Sequence, residues 1–410
     1  MTPDATRRRL LSASLAGAAA LALPRPGVAQ SAAPSKPPLR IGVLNDQSGP
    51  YADLAGPGSA QAVRLAVADG VAAGLDRQVE VLVADHQNKP DVGLALIRDW
   101  MSNGRVDVVM DICNSAISLG AQSVAAQYDK PILHVSSTTS ELAGKGCGRN
   151  GIQWAQNTYA DAHGLARSML NEGKRSYFFI TVDYAFGQAV EADMRGAIQG
   201  SGTVLGAAKH PLNNSDFASL LTTAQVSGAE VVVLANSGAD LITSVKQAGE
   251  FGLAKKQTLV APIVYLTDVH ALGLEAAQGL QFVQSWYWDR DEASRAWAKR
   301  FFAERRRMPT DLQAGAYSAA LHYLRAVQAA GTAETGAVLG SMRDRPVNDM
   351  YAQGGRILAN NKMTFDLLLA RVKSPGASRY PWDYLDVVAR IPGDQAFRPL
   401  KDTGCALVKA

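Results

Sequence analysis

The sequence predicts an α/β protein made of two doubly wound, Rossmann-like lobes joined by a multi-strand hinge. Three observations predict it. Short, uninterrupted, β-branched runs such as residues 106–111 and 131–135 read as strands buried on both faces of a parallel sheet. These runs alternate with segments of helix length, which is how parallel strands are connected. After Asn157 the alternation starts afresh, so two sheets lie in tandem.

Taken in order, residues 1–29 read as an export signal. Arg7, Arg8 and Arg9 form a basic, twin-arginine-like start, an apolar run covers residues 15–23, and Gly27-Val28-Ala29 is a small-residue cleavage site. That run is too short to span a bilayer and no other stretch approaches about 18 apolar residues, so an exported, soluble protein is expected. Removal of the leader takes away four arginines against one aspartate, and the formal charge falls from +4 to +1. The basic balance belongs to the leader and is no argument for a nucleic-acid partner. With 410 residues, 47% of them hydrophobic, the rest is ample for two cores.

A Pro/Ala/Ser linker at 30–38 leads to the first strand at 39–44, which opens into Asn45-Asp46-Gln47-Ser48-Gly49-Pro50-Tyr51. Helix 56–69, strand 79–85 and a helix starting at Pro90-Asp91 follow. Strand 106–111 runs into Cys113-Asn114-Ser115, and strand 131–135 into Ser136-Ser137-Thr138-Thr139-Ser140. Such small polar residues cap helices, and they also present donors at the carboxyl edge of the sheet, where open α/β sheets bind ligands. In the second lobe, strand 177–182 exits at Asp183-Tyr184-Ala185-Phe186-Gly187, strand 231–234 at Ala235-Asn236-Ser237-Gly238, and strand 258–261 at Pro262-Ile263-Val264-Tyr265. Residues 279–288 read as one long strand crossing back to the first lobe, and residues 363–372 as a last strand. Lobe one is then 39–157 with about 285–355, lobe two 158–284 with about 356–375, and 376–410 is a tail packed on both. Several crossings favour a hinge over a tether.

The chemistry of enzymes is missing from the motifs. There is no GxSxG, HExxH, P-loop or GxGxxG, and the six histidines are scattered. No CxxC or paired-His spacing points to a metal, and no cofactor is expected. Of the three cysteines, Cys147 and Cys405 sit in Gly-containing loops and are the expected disulfide in an oxidising compartment, leaving Cys113 as a buried thiol. His134, within a strand, reads as a hydrogen-bonded core residue.

Ile41-Gly42-Val43, Ser48-Gly49-Pro50-Tyr51, residues 136–142, residues 183–187, Ser215-Asp216-Phe217 and residues 269–279 follow one another in an order that resembles the periplasmic leucine/isoleucine/valine-binding protein family. These are type I substrate-binding proteins of ABC importers. The resemblance spans nearly the whole mature chain and rests on the order of the motifs, since none is specific alone. It implies a periplasmic monomer whose two lobes close on a small-molecule ligand, and an ABC permease in the inner membrane as partner. It further implies that Asn114, Ser115, Ser136, Ser137 and Thr138 hold the ligand's polar groups, that Tyr51 covers it, and that Tyr184, Phe186, Asn236 and Tyr265 meet it from lobe two. Packing of the interlobe surface is the alternative role for Tyr184 and Phe186. A sensory module acting through a membrane receptor has the same sequence requirements as a transport protein.

One departure bears on the ligand. Amino-acid binders of the family place an acid after the last of these lobe-two strands to pair with the α-ammonium, whereas residues 261–267 contain none before Asp268. An unpaired ammonium in a closed cleft is costly. A carboxylate without an α-amino group is therefore expected, aromatic in view of Tyr51, Tyr184, Phe186, Tyr265, Trp286 and Tyr287, with Asp183 or Asp268 the remaining sources of a counter-charge.

Overall fold

The structure, a computed structural model, describes residues 36–409. The expected leader and the linker up to residue 35 lie outside them. Lobe one is built on β1 (Leu39–Asn45), α1 (Gly56–Ala72), β2 (Val79–Asp85), α2 (Pro90–Ser102), β3 (Val108–Asp111), α3 (Ser115–Tyr128), β4 (Ile132–His134) and β5 (Gly151–Gln153). Its five strands form a parallel sheet in the order β2-β1-β3-β4-β5. Side chains alternate across it as a two-residue period requires: Ile41 and Val43 pack towards Ala62, Val63 and Ala66 of α1, while Leu44, Val109 and Ile132 pack towards Ile97 and Ile117 on α2 and α3. Between them, Gly42 lies under the Trp100 ring, where a Cβ would come within 2.6 Å of it.

Lobe two follows with α4 (Thr158–Asn171), β6 (Ser176–Val182), α5 (Ala185–Ile198), β7 (Thr203–His210), α6 (Ala218–Val226), β8 (Val231–Ala235), α7 (Ala239–Glu250), β9 (Thr258–Val260), α8 (Leu266–Leu272) and α9 (Leu274–Ala277). Its four strands are also parallel, ordered β7-β6-β8-β9. The doubly wound α/β reading therefore holds for both sheets.

After β10 (Gln281–Gln284) the chain forms α10 (Glu292–Arg305), α11 (Asp311–Ala330) and α12 (Thr335–Asp344), and α10 and α11 pack on α1. Helix α11 starts at a reciprocal cap, Gln313 N donating to Thr310 Oγ1 at 3.2 Å and Thr310 N to Gln313 Oε1 at 3.1 Å, and stops at Gly331 with φ 70°. The hairpin strands β11 (Val347–Asn348), β12 (Gln353–Ile357) and β13 (Met363–Thr364) precede β14 (Leu367–Val372), β15 (Leu385–Ile391) and the short α13 (Gly393–Ala396).

Four details differ from the sequence expectation. The segment after β4 is a single 3-10 turn at Ser140–Ala143 and not a helix, because Gly144, Gly146 and Gly148 follow at once. The run 279–288 is a strand only over Gln281–Gln284, since the three aromatic residues 286–288 turn away to find acceptors for their polar tips. Trp286 Nε1 donates to Ser294 Oγ at 3.0 Å, and Tyr287 OH and Trp288 Nε1 both donate to Trp382 O, at 3.2 and 3.1 Å. Residues 363–372 divide into β13 and β14, and the segment read as tail contains β15, which pairs antiparallel with β14 as an edge strand with Val387 and Val388 exposed. His134 is buried, yet neither ring nitrogen has a partner, so it is not the hydrogen-bonded core residue expected. Cys147 and Cys405 are disulfide-bonded with Cα atoms 5.6 Å apart, and Cys113 is a buried free thiol.

Candidate ligand-binding cleft

The lobe-one wall is made by three strand exits. At the end of β1, Asp46 accepts from Gly49 N and Tyr51 N, both at 2.8 Å, and this turns the Tyr51 ring inward. At the end of β3 the backbone is strained: Asp111 has φ 82° and Ile112, β-branched, has φ 49°. Each such residue costs on the order of 1–3 kcal/mol and persists only where its surroundings over-determine it. Here Ile112 N donates to Leu44 O at 2.8 Å, Asn45 Nδ2 to Asp111 Oδ2 at 2.5 Å, and Ser136 Oγ to Asp111 Oδ1. The twist delivers Cys113 to the cleft and leaves Asn114 capping α3, its Oδ1 accepting from Ala116 N at 3.0 Å and Ile117 N at 3.1 Å. Burial raises the Asp111 carboxyl above its usual range.

The lobe-two wall is aromatic. Tyr184 and Phe186 sit at the start of α5 with ring centroids 5.9 Å apart, and the Tyr184 hydroxyl lies 2.8 Å from that of Tyr51 across the cleft. At the β8 exit, Gly238 adopts φ 60° and a Cβ there would stand 2.5 Å from Pro50 O, so only glycine allows this approach of the two backbones. Ala239 N donates to Pro50 O at 3.3 Å beside it. The lobes are thus in contact, in a closed arrangement.

Between the walls lies a gap of about 20 Å³ lined by Tyr51, Leu54, Cys113, Ser136, Thr138, Tyr184, Phe186, Ser237 and Tyr265. That is about the room one water molecule needs, so in this closed arrangement the two walls nearly meet. The structure brings Tyr51, Ser136, Thr138, Tyr184, Phe186 and Tyr265 together. It does not bring Asn114, Ser115, Ser137 or Asn236 to the lining. Asn114 is used as a cap, Ser115 and Ser137 stand behind the wall with their hydroxyls 3.5 Å apart, and Asn236 Nδ2 turns towards His210 Nε2 at 3.2 Å. Leu54, Cys113 and Ser237 line it too, although the sequence assigned none of them to the site and marked Cys113 only as a buried thiol. Ser237 could have been found, because its neighbour Asn236 was assigned and neighbours at a strand exit face opposite ways. Trp286 and Tyr287 do not reach the cleft.

The lining is uncharged. Burial pushes the Tyr51, Tyr184 and Tyr265 phenols and the Cys113 thiol up, so all are protonated at neutral pH. Neither expected counter-charge faces it: Asp183 is exposed and paired with Lys209 at 2.8 Å, and Asp268 accepts from Tyr265 N at 3.0 Å, its pKa raised by burial to about 7. The Ser136 hydroxyl proton is committed to Asp111, which leaves Thr138 Oγ1, the unpartnered Ser237 Oγ and the Tyr265 hydroxyl open to a ligand. Among the described residues no cluster of His, Cys, Asp or Glu is placed to hold a metal ion.

A model of the periplasmic binding protein family matches residues 38–377. Among solved structures, a periplasmic binding protein from Burkholderia mallei is 42% identical, with a TM-score of 0.88 over 90% of this chain and 99% of that one. A branched-chain amino acid ABC transporter periplasmic ligand-binding protein from Burkholderia xenovorans LB400 is 36% identical, with a TM-score of 0.80 over 90% and 99%. A solute-binding protein of an ABC transporter from R. palustris, in complex with benzoate, shares the fold at 17% identity, with a TM-score of 0.79 over 90% and 100%. No curated protein matches the chain. By the extent of the family match and the identity to the two Burkholderia proteins, the chain belongs to the periplasmic binding protein family.

Proposed function

We propose that this protein captures a small aromatic carboxylate without an α-amino group in the periplasm, by closure of its two lobes, and presents it to an ABC permease in the inner membrane. The observation that carries this reading is a cleft of four aromatic side chains, with the hydroxyls of Thr138, Ser237 and Tyr265, and no acidic side chain in its lining. An ammonium enclosed there would have no counter-charge and would cost several kcal/mol. A carboxylate instead meets Thr138 Oγ1 and the N–H groups of the β4 exit, in a water-poor site where such bonds are strengthened. Ser136 and Asp111 hold that exit in place, and Ser115 and Ser137 support it from behind. Tyr51, Tyr184, Phe186 and Tyr265 enclose the ring, and Ser237 Oγ faces a polar substituent at its far end.

The R. palustris protein of this fold is in complex with benzoate, which supports an aromatic acid as the ligand. The name of the B. xenovorans protein favours a second reading, a branched-chain amino acid ligand. A thermal-shift screen separates them. Benzoate and 4-hydroxybenzoate are expected to raise the melting temperature, and leucine is not; at a hundred times its dissociation constant a ligand stabilises by about 2.7 kcal/mol. Stabilisation by leucine with the benzoates inert overturns the proposal.

A further inference from the structure

We propose that Asp193, together with the disulfide-anchored C-terminal segment, is a latch that holds the lobes closed from the end of α5 remote from the cleft. This rests on the reading that lobe closure retains the ligand.

Helix α5 belongs to lobe two and carries Phe186 at its cleft end. Asp193 is seven residues on, two turns along the same face and about 10 Å further. Its carboxylate is 6% exposed and accepts from three different parts of the chain. Ser140 Oγ at 2.7 Å comes from the turn after β4 in lobe one, Thr158 Oγ1 at 2.6 Å from the first residue of α4 in lobe two, and Arg398 Nη2 at 2.7 Å from the C-terminal segment. The Arg398 guanidinium also lies 4.7 Å over the Tyr159 ring of α4, which fixes its direction. Rotation of lobe two away from lobe one pulls Asp193 off Ser140, so opening leaves a buried carboxylate short of a donor.

The C-terminal segment makes this a two-lobe device. It leaves β15, where Gly393 N donates to Asp366 Oδ1 at 2.9 Å, passes α13 against α4 and Arg398 against Asp193, and ends at Cys405, bonded to Cys147 in lobe one. The disulfide therefore turns the segment into one more connection across the lobe seam, and Arg398 is held within it, seven residues before Cys405. Asp193 and Arg398 are positioning residues. They touch nothing in the cleft and act through the placement of α5.

Hydrogen exchange of the protein without any ligand tests this independently of what the cleft binds. The reporter is the Ala239 amide, which bonds to Pro50 O across the seam at the cleft end. In Asp193→Asn, and in the unaltered protein after reduction with a phosphine, it is expected to exchange roughly tenfold faster, while amides inside each sheet, such as Val109 and Val233, keep their protection. Arg398→Lys, which keeps a cation, is expected to restore most of the protection lost in Arg398→Gln. Loosening confined to residues 393–405, with Ala239 unchanged, overturns the proposal, as does a uniform loss across both sheets. Reduction of the unaltered protein decides the matter if Asp193→Asn does not fold.

Discussion

The two walls of the cleft are made of different materials. Lobe one offers hydroxyls and backbone groups on a strand exit twisted into positive φ at Asp111 and Ile112 and tied down by Asn45 and Ser136. Lobe two offers Tyr184, Phe186 and Tyr265, with Ser237 as its one hydroxyl donor beyond the tyrosines. Hydrogen bonds are directional and demand a fixed frame, whereas the gain from apolar area is not directional. Lobe one is accordingly suited to decide which group is seated, and lobe two to decide how firmly it is covered. A donor displaced by an ångström is lost, whereas an aromatic face displaced by the same amount still covers.

The largest effect should come from thinning the apolar wall. Phe186→Ala removes a ring buried between the lobes and is expected to cost about 3–5 kcal/mol in urea denaturation. A cost under about 1 kcal/mol would show that the wall collapses onto the gap and that the contrast between the walls is overdrawn.

Acid should next separate the lobes. His134, on β4 just before the polar wall, is buried with both ring nitrogens unpartnered, and burial lowers its pKa to about 3. The unfolded chain takes up this proton near pH 6.5 and the native chain only near 3, so stability is full above pH 6.5 and is lost as the pH falls between them. By pH 4 this one residue should cost roughly 3 kcal/mol, and His134→Leu should flatten the acid arm of a pH–stability profile by that order. In lobe two, Asp240 has the opposite sign. Burial raises its pKa to about 6, so the stability it contributes is present below pH 3.8 and disappears as the pH rises to 6. An acid arm unchanged in His134→Leu would mean that the imidazole is solvated in the native protein.

The smallest effect tests the point where the walls meet. Tyr51→Phe removes one member of the 2.8 Å hydroxyl pair and leaves Tyr184 without its partner, at an expected cost of about 1 kcal/mol. The double change with Tyr184→Phe should cost less than the sum of the single changes, because no orphaned hydroxyl remains. Additive costs would show that the pair is a contact without energy.

Much of the fold was legible. Runs such as Val231–Ala235, short, β-branched and bounded by turn residues, read as buried strands, and Asn114 stands directly before the helix it caps, because both signals act within a few residues. Legibility failed where a distant partner decides. The three aromatic residues at 286–288 read as a strand and instead turn aside, since their donors find acceptors at Ser294, Met350 and Trp382. Strand β15 has a readable alternation, Leu385-Asp386-Val387, but only pairing with β14 makes it a strand.

The cleft divides along the same line. By itself the sequence determined that strand exits carrying Tyr51, Ser136, Thr138, Tyr184, Phe186 and Tyr265 would gather at the carboxyl edges of two sheets, because strand order and exit chemistry are written locally. Only the tertiary structure decided which of these groups remain free. The Ser136 proton goes to Asp111, 25 residues earlier, Asn114 is spent on a helix cap, and Ser237 takes the place expected of Asn236. A hydroxyl's availability depends on what stands opposite it, and that neighbour is supplied by packing between segments far apart in the chain.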